Sequence, residues 1–138
     1  MFIYPDGSYY IGGVNRNVAN GQGEFNYRGG RLIYKGQFLN DQPDGHGVEL
    51  YSDGSKYEGE FRFGKKEGRG QFSWRDGTIY TGQFENGFMQ GEGIHRLSNG
   101  EVYEGEFRKN KRHGRGKHVS SLGTYIGGYK RDKKEGEG

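Results

Sequence analysis

Apolar and polar residues alternate along short stretches of the chain. In residues 57–61 (YEGEF) and 70–74 (GQFSW), every second position is aromatic or glycine, and the positions between them are mostly charged or polar. Alternation with a period of two predicts β-strands that have one apolar and one polar face. The predicted apolar face carries Tyr57, Gly59, Phe61, Phe72 and Trp74.

These stretches belong to a unit that repeats at a fixed interval. Tyr34, Tyr57, Tyr80 and Tyr103 are each 23 residues apart, and each begins a Tyr-x-Gly-x-Phe segment that is followed by a Gly-x-Gly segment and then by a final glycine. A fixed period of this size indicates a repeat array in which each unit stacks on its neighbours. We expect one β-hairpin per repeat and no helix.

Each repeat also contains residues that favour turns. Asp53-Gly54, Asp76-Gly77 and Asn99-Gly100 are typical of short turns between two strands. The other connection has, three residues after the Phe position, a residue type that tolerates a positive φ angle. These residues are Asn17, Asp41, Gly64, Gly87, Asn110 and Asp132. On the polar face, we expect Glu60 to pair with Arg69 across one hairpin.

The pattern resembles the MORN repeat (membrane occupation and recognition nexus), and the resemblance covers essentially all 138 residues. The periodicity and the resemblance together predict an all-β fold. We expect an elongated, twisted, single-layer antiparallel sheet of eleven or twelve strands, built from tandem β-hairpin repeats with a 23-residue period. We divide this single array into a half repeat at 1–9, full repeats at 10–33, 34–56, 57–79, 80–102 and 103–124, and a truncated repeat at 125–138.

Composition supports an ordered repeat array. Four repeat positions account for 24 of the 29 glycines, so the glycines are periodic and do not indicate a flexible linker. The sequence has no cysteine, which is compatible with a reducing compartment and rules out thiolate metal ligands. No run approaches the roughly 20 apolar residues of a membrane span. Both ends fall inside a repeat, so we expect the sequence to be part of a longer array or protein.

A single-layer sheet has no second layer to cover its apolar face. We therefore predict a partner-binding surface, called the aromatic groove, although simple packing of the same rings is the alternative interpretation. The aromatic groove consists of Tyr27, Tyr51, Tyr57, Phe72, Trp74 and Tyr80.

Charge is distributed unevenly along the chain. Residues 104–138 carry ten Lys or Arg and five Asp or Glu, whereas residues 1–103 carry 11 and 13. The basic residues cluster in segments that we predict to be the longer hairpin loops, along one edge of the sheet. This basic edge consists of Lys65, Lys66, Arg69, Lys111, Arg112, Arg115, Lys133 and Lys134. It is either a solvated surface or a site for an acidic lipid surface or acidic protein, and nucleic acid ranks last because the net charge is only +3.

The sequence offers no catalytic arrangement. Residues 59–66 approximate a phosphate-binding loop, but Lys66 stands where that motif needs Ser or Thr, and the flanking segments are predicted strands. His95 and His118 occur singly, without further ligands at metal-binding spacing. We predict neither an enzyme nor a cofactor.

The family resemblance implies a non-catalytic scaffold or adaptor that binds a protein partner, or associates with itself, in cytoskeletal, ciliary or membrane-junction assemblies. It implies a cytoplasmic location that is associated with the cytoskeleton or cilium, or peripheral to a membrane. One alternative is peripheral binding to acidic phospholipid through the basic edge. Another is a targeting module of a larger enzyme, because such arrays occur beside methyltransferase and lipid-kinase domains.

Overall fold

The computed structural model describes residues 1–30, 32–130 and, for the backbone, 133–135, and these residues form one open antiparallel sheet. Its 13 strands lie side by side in the same order as in the chain. They are β1 (Phe2–Ile3), β2 (Tyr9–Asn15), β3 (Val18–Asn26), β4 (Leu32–Leu39), β5 (Gln42–Tyr51), β6 (Lys56–Arg62), β7 (Lys65–Ser73), β8 (Ile79–Glu85), β9 (Phe88–Arg96), β10 (Val102–Arg108), β11 (Lys111–Ser120), β12 (Gly123–Lys130) and β13 (Lys133–Glu135).

The predicted fold class is confirmed: the chain is all-β, and hairpin repeats build a single-layer antiparallel sheet. The described strands number 13 and exceed the expected eleven or twelve, because the final repeat contributes the short strand β13 in addition to β12. Each repeat supplies two adjacent strands, so equivalent side chains of successive repeats lie in rows across the sheet.

Two-residue turns join the two strands within a repeat. In the turn between β6 and β7, φ is 51° at Phe63 and 79° at Gly64, and the turn between β10 and β11 has 48° at Lys109 and 71° at Asn110. Positive φ at both central residues defines a type I′ turn, whose twist matches that of the flanking strands. Positive φ is thus confirmed at 17, 41, 64, 87 and 110. Asp132 lies outside the described residues.

Because these turns are so short, the prediction that the basic residues occupy longer loops is wrong. Lys65 and Lys66 are the first residues of β7, and Lys111 and Arg112 are the first residues of β11. Adjacent residues of a strand point to opposite faces of the sheet. Each of these pairs is therefore divided between the two faces.

A β-bulge interrupts the pairing of each of the five hairpins between β2 and β11. Gly59 pairs with Gly70, but Phe61, only two residues later, pairs with Lys66. The carboxylate of Glu60, which lies opposite the bulge, accepts a hydrogen bond of 2.6 Å from the backbone N–H of Arg69. Glu60 and Arg69 do meet across the hairpin, but the bond reaches the arginine backbone and stabilises the bulge.

The Asp-Gly and Asn-Gly turns connect one repeat to the next, as predicted. The side chains of Asp53, Asp76 and Asn99 each accept a hydrogen bond of 2.8–2.9 Å from the backbone N–H two residues later. These bonds lower the pKa values of the Asp53 and Asp76 carboxyl groups, because they stabilise the charged form.

The connection between β3 and β4 contains a single tight turn at Arg28–Gly30, whose backbone angles at Gly29 are not those of a helix. This connection is one residue longer than its equivalents, and Gly29 and Gly30 have φ values of 71° and 69°. The register of β4 against β3 is kept, with Gly23 paired to Gly36 and Phe25 paired to Tyr34.

The core is a ladder of aromatic rings on one face of the sheet. Tyr10, Tyr34, Tyr57, Tyr80 and Tyr103 are completely buried. Tyr34, Tyr57, Tyr80 and Tyr103 each pack edge-to-face against the Phe of their own repeat, and Tyr10, whose repeat has Val14 at that position, packs against Phe38 of the next repeat. Where the next repeat has a Phe, it packs on the other side; for Tyr57, the distances to the Phe61 and Phe84 ring centroids are 5.1 and 5.0 Å. Edge-to-face contacts of this kind add to the stability gained from burial. The ladder links all repeats into one continuous core.

Paired glycines make room for each buried tyrosine. The ring of Tyr57 lies over Gly59 and Gly70, and a Cβ atom on Gly70 would come within 2.5 Å of a ring carbon. The Tyr57 hydroxyl donates a 2.9 Å hydrogen bond to the carbonyl oxygen of Glu60, at the bulge. The Tyr-x-Gly-x-Phe pattern therefore specifies a ring, the space for it and the acceptor for its hydroxyl group.

Candidate functional site

The aromatic face of the sheet is only partly covered. Tyr51, Phe72 and Trp74 pack against the buried core and remain partly exposed, and Tyr27 is 37% exposed. The Phe72 ring centroid lies 4.7 Å from that of Trp74 and 5.7 Å from that of Tyr51. Four of the six predicted groove residues thus present ring surface to solvent, and three of them form one contiguous cluster.

The other two predicted groove residues, Tyr57 and Tyr80, are completely buried. Both hydroxyl groups are bonded to backbone carbonyl oxygens, that of Tyr80 at 2.8 Å to Gln83. Burial raises the pKa of Tyr80 to about 12. These two rings form the floor beneath the exposed aromatics and have no surface with which to contact a partner directly.

A depression of about 570 Å³ lies beside the exposed ring cluster. Phe72, Trp74 and Met89 provide its apolar wall, and His95 stacks beside Trp74 with 5.4 Å between ring centroids. Lys66 also lines this depression. The site has the size and the mixed lining that suit a large apolar side chain accompanied by a polar group.

An ion pair lies inside the aromatic face. The Lys66 Nζ atom is 3.2 Å from an oxygen of Glu49, and the two side chains are only 18% and 12% exposed. The Tyr51 hydroxyl donates a 2.7 Å hydrogen bond to the same oxygen. Burial, together with the Glu49 carboxylate, raises the pKa of Tyr51. The Lys66 ammonium also lies 5.5 Å from the Tyr51 ring centroid, within cation–π distance.

A second cation lies on the aromatic face two repeats further along. The Arg112 Cζ atom is 4.7 Å from the ring centroid of Tyr103 and 5.8 Å from that of Tyr129. Arg112 pairs across the hairpin with Phe107, just as Lys66 pairs with Phe61. Lys66 and Arg112 therefore occupy equivalent positions in their repeats.

The predicted basic edge is divided by the structure. Lys66 and Arg112 lie on the aromatic face, whereas Lys65, Arg69, Lys111 and Arg115 are exposed on the polar face. The backbone of Lys133 and Lys134 lies in β13, and their side chains are outside the described part of the structure. The eight residues do not form one continuous ridge.

A different set of basic side chains does converge on the polar face. Together they line a depression of about 360 Å³, beside the turn between β10 and β11. This basic cluster consists of Arg108, Lys109, Lys111, His113 and Lys130. One repeat earlier, Glu85 stands at the position equivalent to Arg108. The basic cluster is therefore specific to this end of the described sheet.

Sequence reasoning missed the row of residues to which Lys66 and Arg112 belong. Its other described members are Ala19, Pro43 and Met89, each paired with the Phe-position residue of its repeat. The detectable signal was two adjacent turn-forming residues, such as Asn86-Gly87, which indicate a two-residue turn and hence the register. Without that turn length, these residues were assigned to a loop and not to a strand.

Among the described residues, no three His, Cys, Asp or Glu side chains are grouped closely enough to hold a metal ion. No helix in this part of the chain is long and apolar enough to cross a membrane.

An open sheet of stacked hairpin repeats with a partly uncovered aromatic face defines a β-repeat interaction module. The chain belongs to the MORN repeat family, whose pattern it matches at residues 10–30, 34–56, 57–79, 80–102, 103–121 and 125–138. This family is a non-enzymatic repeat module that often takes part in protein or membrane interactions. The chain is also similar to protein TIC 100 of Arabidopsis thaliana, with 40% identity over 47 residues. That match covers 34% of this chain and 5% of TIC 100.

Proposed function

We propose that the chain is a non-catalytic scaffold that binds a segment of a protein partner on its aromatic groove. The observation that supports this proposal is the contiguous cluster of Tyr51, Phe72 and Trp74, which packs against the core on one side and stays open on the other. Clustered, partly exposed aromatic side chains that are already held in place are typical of binding hot spots. In this proposal, Tyr57 and Tyr80 act indirectly by fixing the floor of the groove.

Trp74 is the only tryptophan in the sequence, so its fluorescence reports directly on the groove. A phage-displayed library of random peptides can be panned on the immobilised chain, and the affinities of the enriched peptides measured. We expect binding to shift the Trp74 emission to shorter wavelength, because the partner excludes water. We expect Trp74→Ala to weaken binding at least about tenfold, which is the effect of losing a hot-spot side chain.

Tyr9→Ala provides the matched control, because Tyr9 is an aromatic side chain that is 36% exposed on the opposite, polar face. This variant should bind the selected peptides as tightly as the wild type. Circular dichroism and urea unfolding verify that both variants are folded. Peptides that bind Trp74→Ala with undiminished affinity would show that the aromatic groove is not the binding site.

A cytoskeletal or ciliary assembly is the setting that we propose for this scaffold, on the basis of the family resemblance. The tagged chain should then concentrate on such a structure in cells, and Trp74→Ala should disperse it. Retention of the Trp74→Ala variant at the structure would indicate that another surface determines its location.

The basic cluster supports a second candidate function, peripheral binding to acidic phospholipid. Its four Lys and Arg side chains converge on one depression together with His113, and each Lys or Arg near an anionic membrane contributes about 1 kcal/mol. Along the same edge, Phe63 and Phe88 are 66% and 43% exposed. Aromatic side chains beside basic ones are suited to the interface between headgroups and acyl chains.

Co-sedimentation with phosphatidylcholine vesicles, with and without phosphoinositide, tests this candidate at low and physiological salt. The triple variant Lys109→Glu, Lys111→Glu and Lys130→Glu should abolish binding to the acidic vesicles. The matched control, Lys35→Glu with Lys56→Glu and Arg75→Glu, also reverses three exposed charges, far from the cluster, and should retain binding. Absence of binding by the wild type at physiological salt would eliminate the membrane candidate.

A further inference from the structure

We infer that the aromatic groove selects a partner segment in which acidic side chains flank a bulky apolar side chain, and that Lys66 and Arg112 are the residues that recognise the carboxylates. This inference rests on the proposed function, because it specifies the chemistry of the partner at the same surface. Lys66 and Arg112 are the two cationic side chains that the described structure places on the aromatic face.

The fold does not require a charge at either position. The equivalent residues of the first, second and fourth repeats are Ala19, Pro43 and Met89, and all three are uncharged. In the truncated repeat the backbone of Lys134 pairs with Tyr129 in the same row, and its side chain lies outside the described part of the structure. Their row runs beside the buried phenylalanines, where Met89 is 8% exposed. An aliphatic or small side chain therefore satisfies the packing at this position, and the cations at 66 and 112 need another explanation.

Lys66 retains hydrogen-bonding capacity that a partner would have to satisfy. An ammonium group has three donors, and the described ion pair with Glu49 uses one of them. A partner that covers the groove removes the remaining water from this ion pair, and complete burial of an ion pair is costly unless further hydrogen bonds compensate. A carboxylate oxygen from the partner provides that compensation beside the apolar depression.

Arg112 lies against the rings of Tyr103 and Tyr129, so its guanidinium plane is held at the surface of the groove. An arginine that rests on an aromatic ring is well suited to bind a carboxylate, because its planar fork is held in place. Arg112 is thus placed to receive a second acidic side chain of the partner, two repeats away from Lys66.

The opposite side of the aromatic face carries charges of both signs. Asp53 and Asp76 occupy the turns along that side, and the basic residues Lys56 and Arg75 lie beside them. The recognition of carboxylates is therefore assigned to Lys66 and Arg112 themselves and not to a charge difference between the two sides.

The spacing of the two cations sets the spacing of the acidic residues. Lys66 is in β7 and Arg112 is in β11, so four strand spacings of about 4.8 Å separate them by about 19 Å. An extended peptide covers this distance with about six residues. Between the two cations lies the depression of Phe72, Trp74 and Met89, which takes the apolar side chain.

The test compares the sequences that the same random-peptide library yields on four proteins: the wild type, Lys66→Met with Arg112→Met, Lys65→Met with Lys111→Met, and Trp74→Ala. Lys65 and Lys111 provide the matched control, since they are adjacent in sequence, exposed on the polar face and carry the same total charge. We expect wild-type peptides to be enriched in Asp and Glu around a large apolar residue. Lys66→Met with Arg112→Met should lose the acidic enrichment and bind wild-type peptides at least about tenfold more weakly, whereas the control should not.

The outcomes separate this inference from the proposed function. Wild-type peptides that are apolar without acidic enrichment, but still depend on Trp74, would overturn the inference and leave the proposed function intact. Acidic peptides that respond to Lys65→Met with Lys111→Met would place their binding on the polar face and also overturn it. Selected peptides that are indifferent to Trp74→Ala would overturn both. If the double variant at 66 and 112 does not fold, Arg112→Met alone should show the loss of affinity for acidic peptides.

Discussion

The contact between a tyrosine ring and a pair of glycines explains the most regular residues of the chain. Tyr57 is fully buried although nothing covers the sheet as a second layer, because Gly59 and Gly70 leave a trough in the sheet surface for its ring. The same arrangement recurs at Tyr80 with Gly82 and Gly93. The absence of a side chain at these glycines therefore allows the large tyrosine side chain to be buried.

Gly70→Ala should therefore destabilise the protein by about 1–3 kcal/mol, the usual cost of forcing an extra group into a packed core. The added Cβ atom meets the ring and hydroxyl group of Tyr57. Urea unfolding of the variant measures this change. In the Tyr57→Leu background the same substitution should cost much less, since the clash is removed. An equal cost in both backgrounds would contradict the proposed cause.

Buried tyrosines also predict how stability depends on pH. Burial raises the pKa values of Tyr80 and Tyr103 to about 12, whereas a tyrosine in an unfolded chain titrates near 10. The unfolded chain then loses these protons first, so stability is retained below about pH 10 and falls as the pH rises toward 12.

Urea unfolding between pH 8 and 12, with tyrosinate absorbance recorded on the folded protein, tests this expectation. Tyr80→Phe should make the alkaline loss of stability less steep, because one titrating group is removed. Complete ionisation of the tyrosines near pH 10 in a chain that remains folded would contradict the prediction.

At this scale the sequence predicted which residues share the apolar face, but not which of them are covered. Tyr57 and Trp74 both belong to the alternating pattern, yet Tyr57 is buried and Trp74 is partly exposed. The difference arises from the glycine pairs on neighbouring strands, which are positioned by the register. Register is a property of paired strands, and the alternation within one strand does not contain it.

The hairpin, as an element, was predicted with its Asp-Gly turns and with positive φ at the second residue of the other turn. Its register was not predicted, because the bulge adds two residues to one strand: Gly59 and Phe61 are two residues apart, whereas their partners Gly70 and Lys66 are four apart. Both intervals are even, so the alternation of faces continues through the bulge, but the pairing across the hairpin shifts by two residues. Lys66 and Arg112 were placed in a loop because the sequence prediction did not recognise that the turn is only two residues long.

The type I′ turns predict a simple stabilising substitution. Phe63 has a φ of 51°, a left-handed conformation that is unfavourable for a bulky side chain. The equivalent residues Asn40 and Asn86 are of a type that tolerates it. Phe63→Asn should increase the free energy of unfolding by about 1 kcal/mol. Phe88 is an exposed phenylalanine in a regular strand, so Phe88→Asn should bring no such gain. Equal changes in the free energy of unfolding for the two variants, measured by urea unfolding, would rule out the backbone explanation.

The whole molecule is a row of strands whose spatial order equals their order in the chain. We propose that residues 80–102 form one removable unit of this row. Deleting them should bring the remaining repeats together in the same register, because Phe107 then takes the place of Phe84 beside Tyr57. The protein should remain folded, and its urea m-value should fall by about one sixth, in proportion to the lost surface.

Deletion of residues 80–90 alone provides the contrast. It removes most of β8, the turn and the first three residues of β9, so the rest of β9 would meet β7 with its direction unmatched. We expect a broad, non-cooperative unfolding transition for this shorter deletion. A cooperative transition in both deletions would show that the repeat is not the unit of folding.

Sequential strand order also determines how the protein responds to mechanical load. When a force pulls the first and last strands apart, perpendicular to the strands, it acts along the hydrogen bonds between neighbouring strands. These strand pairs then separate one at a time. Each repeat that opens releases 23 residues, or about 75 Å of extended chain, while the rest of the row keeps its structure. We therefore expect this protein to lengthen in discrete steps under tension and to shorten again as the hairpins re-form.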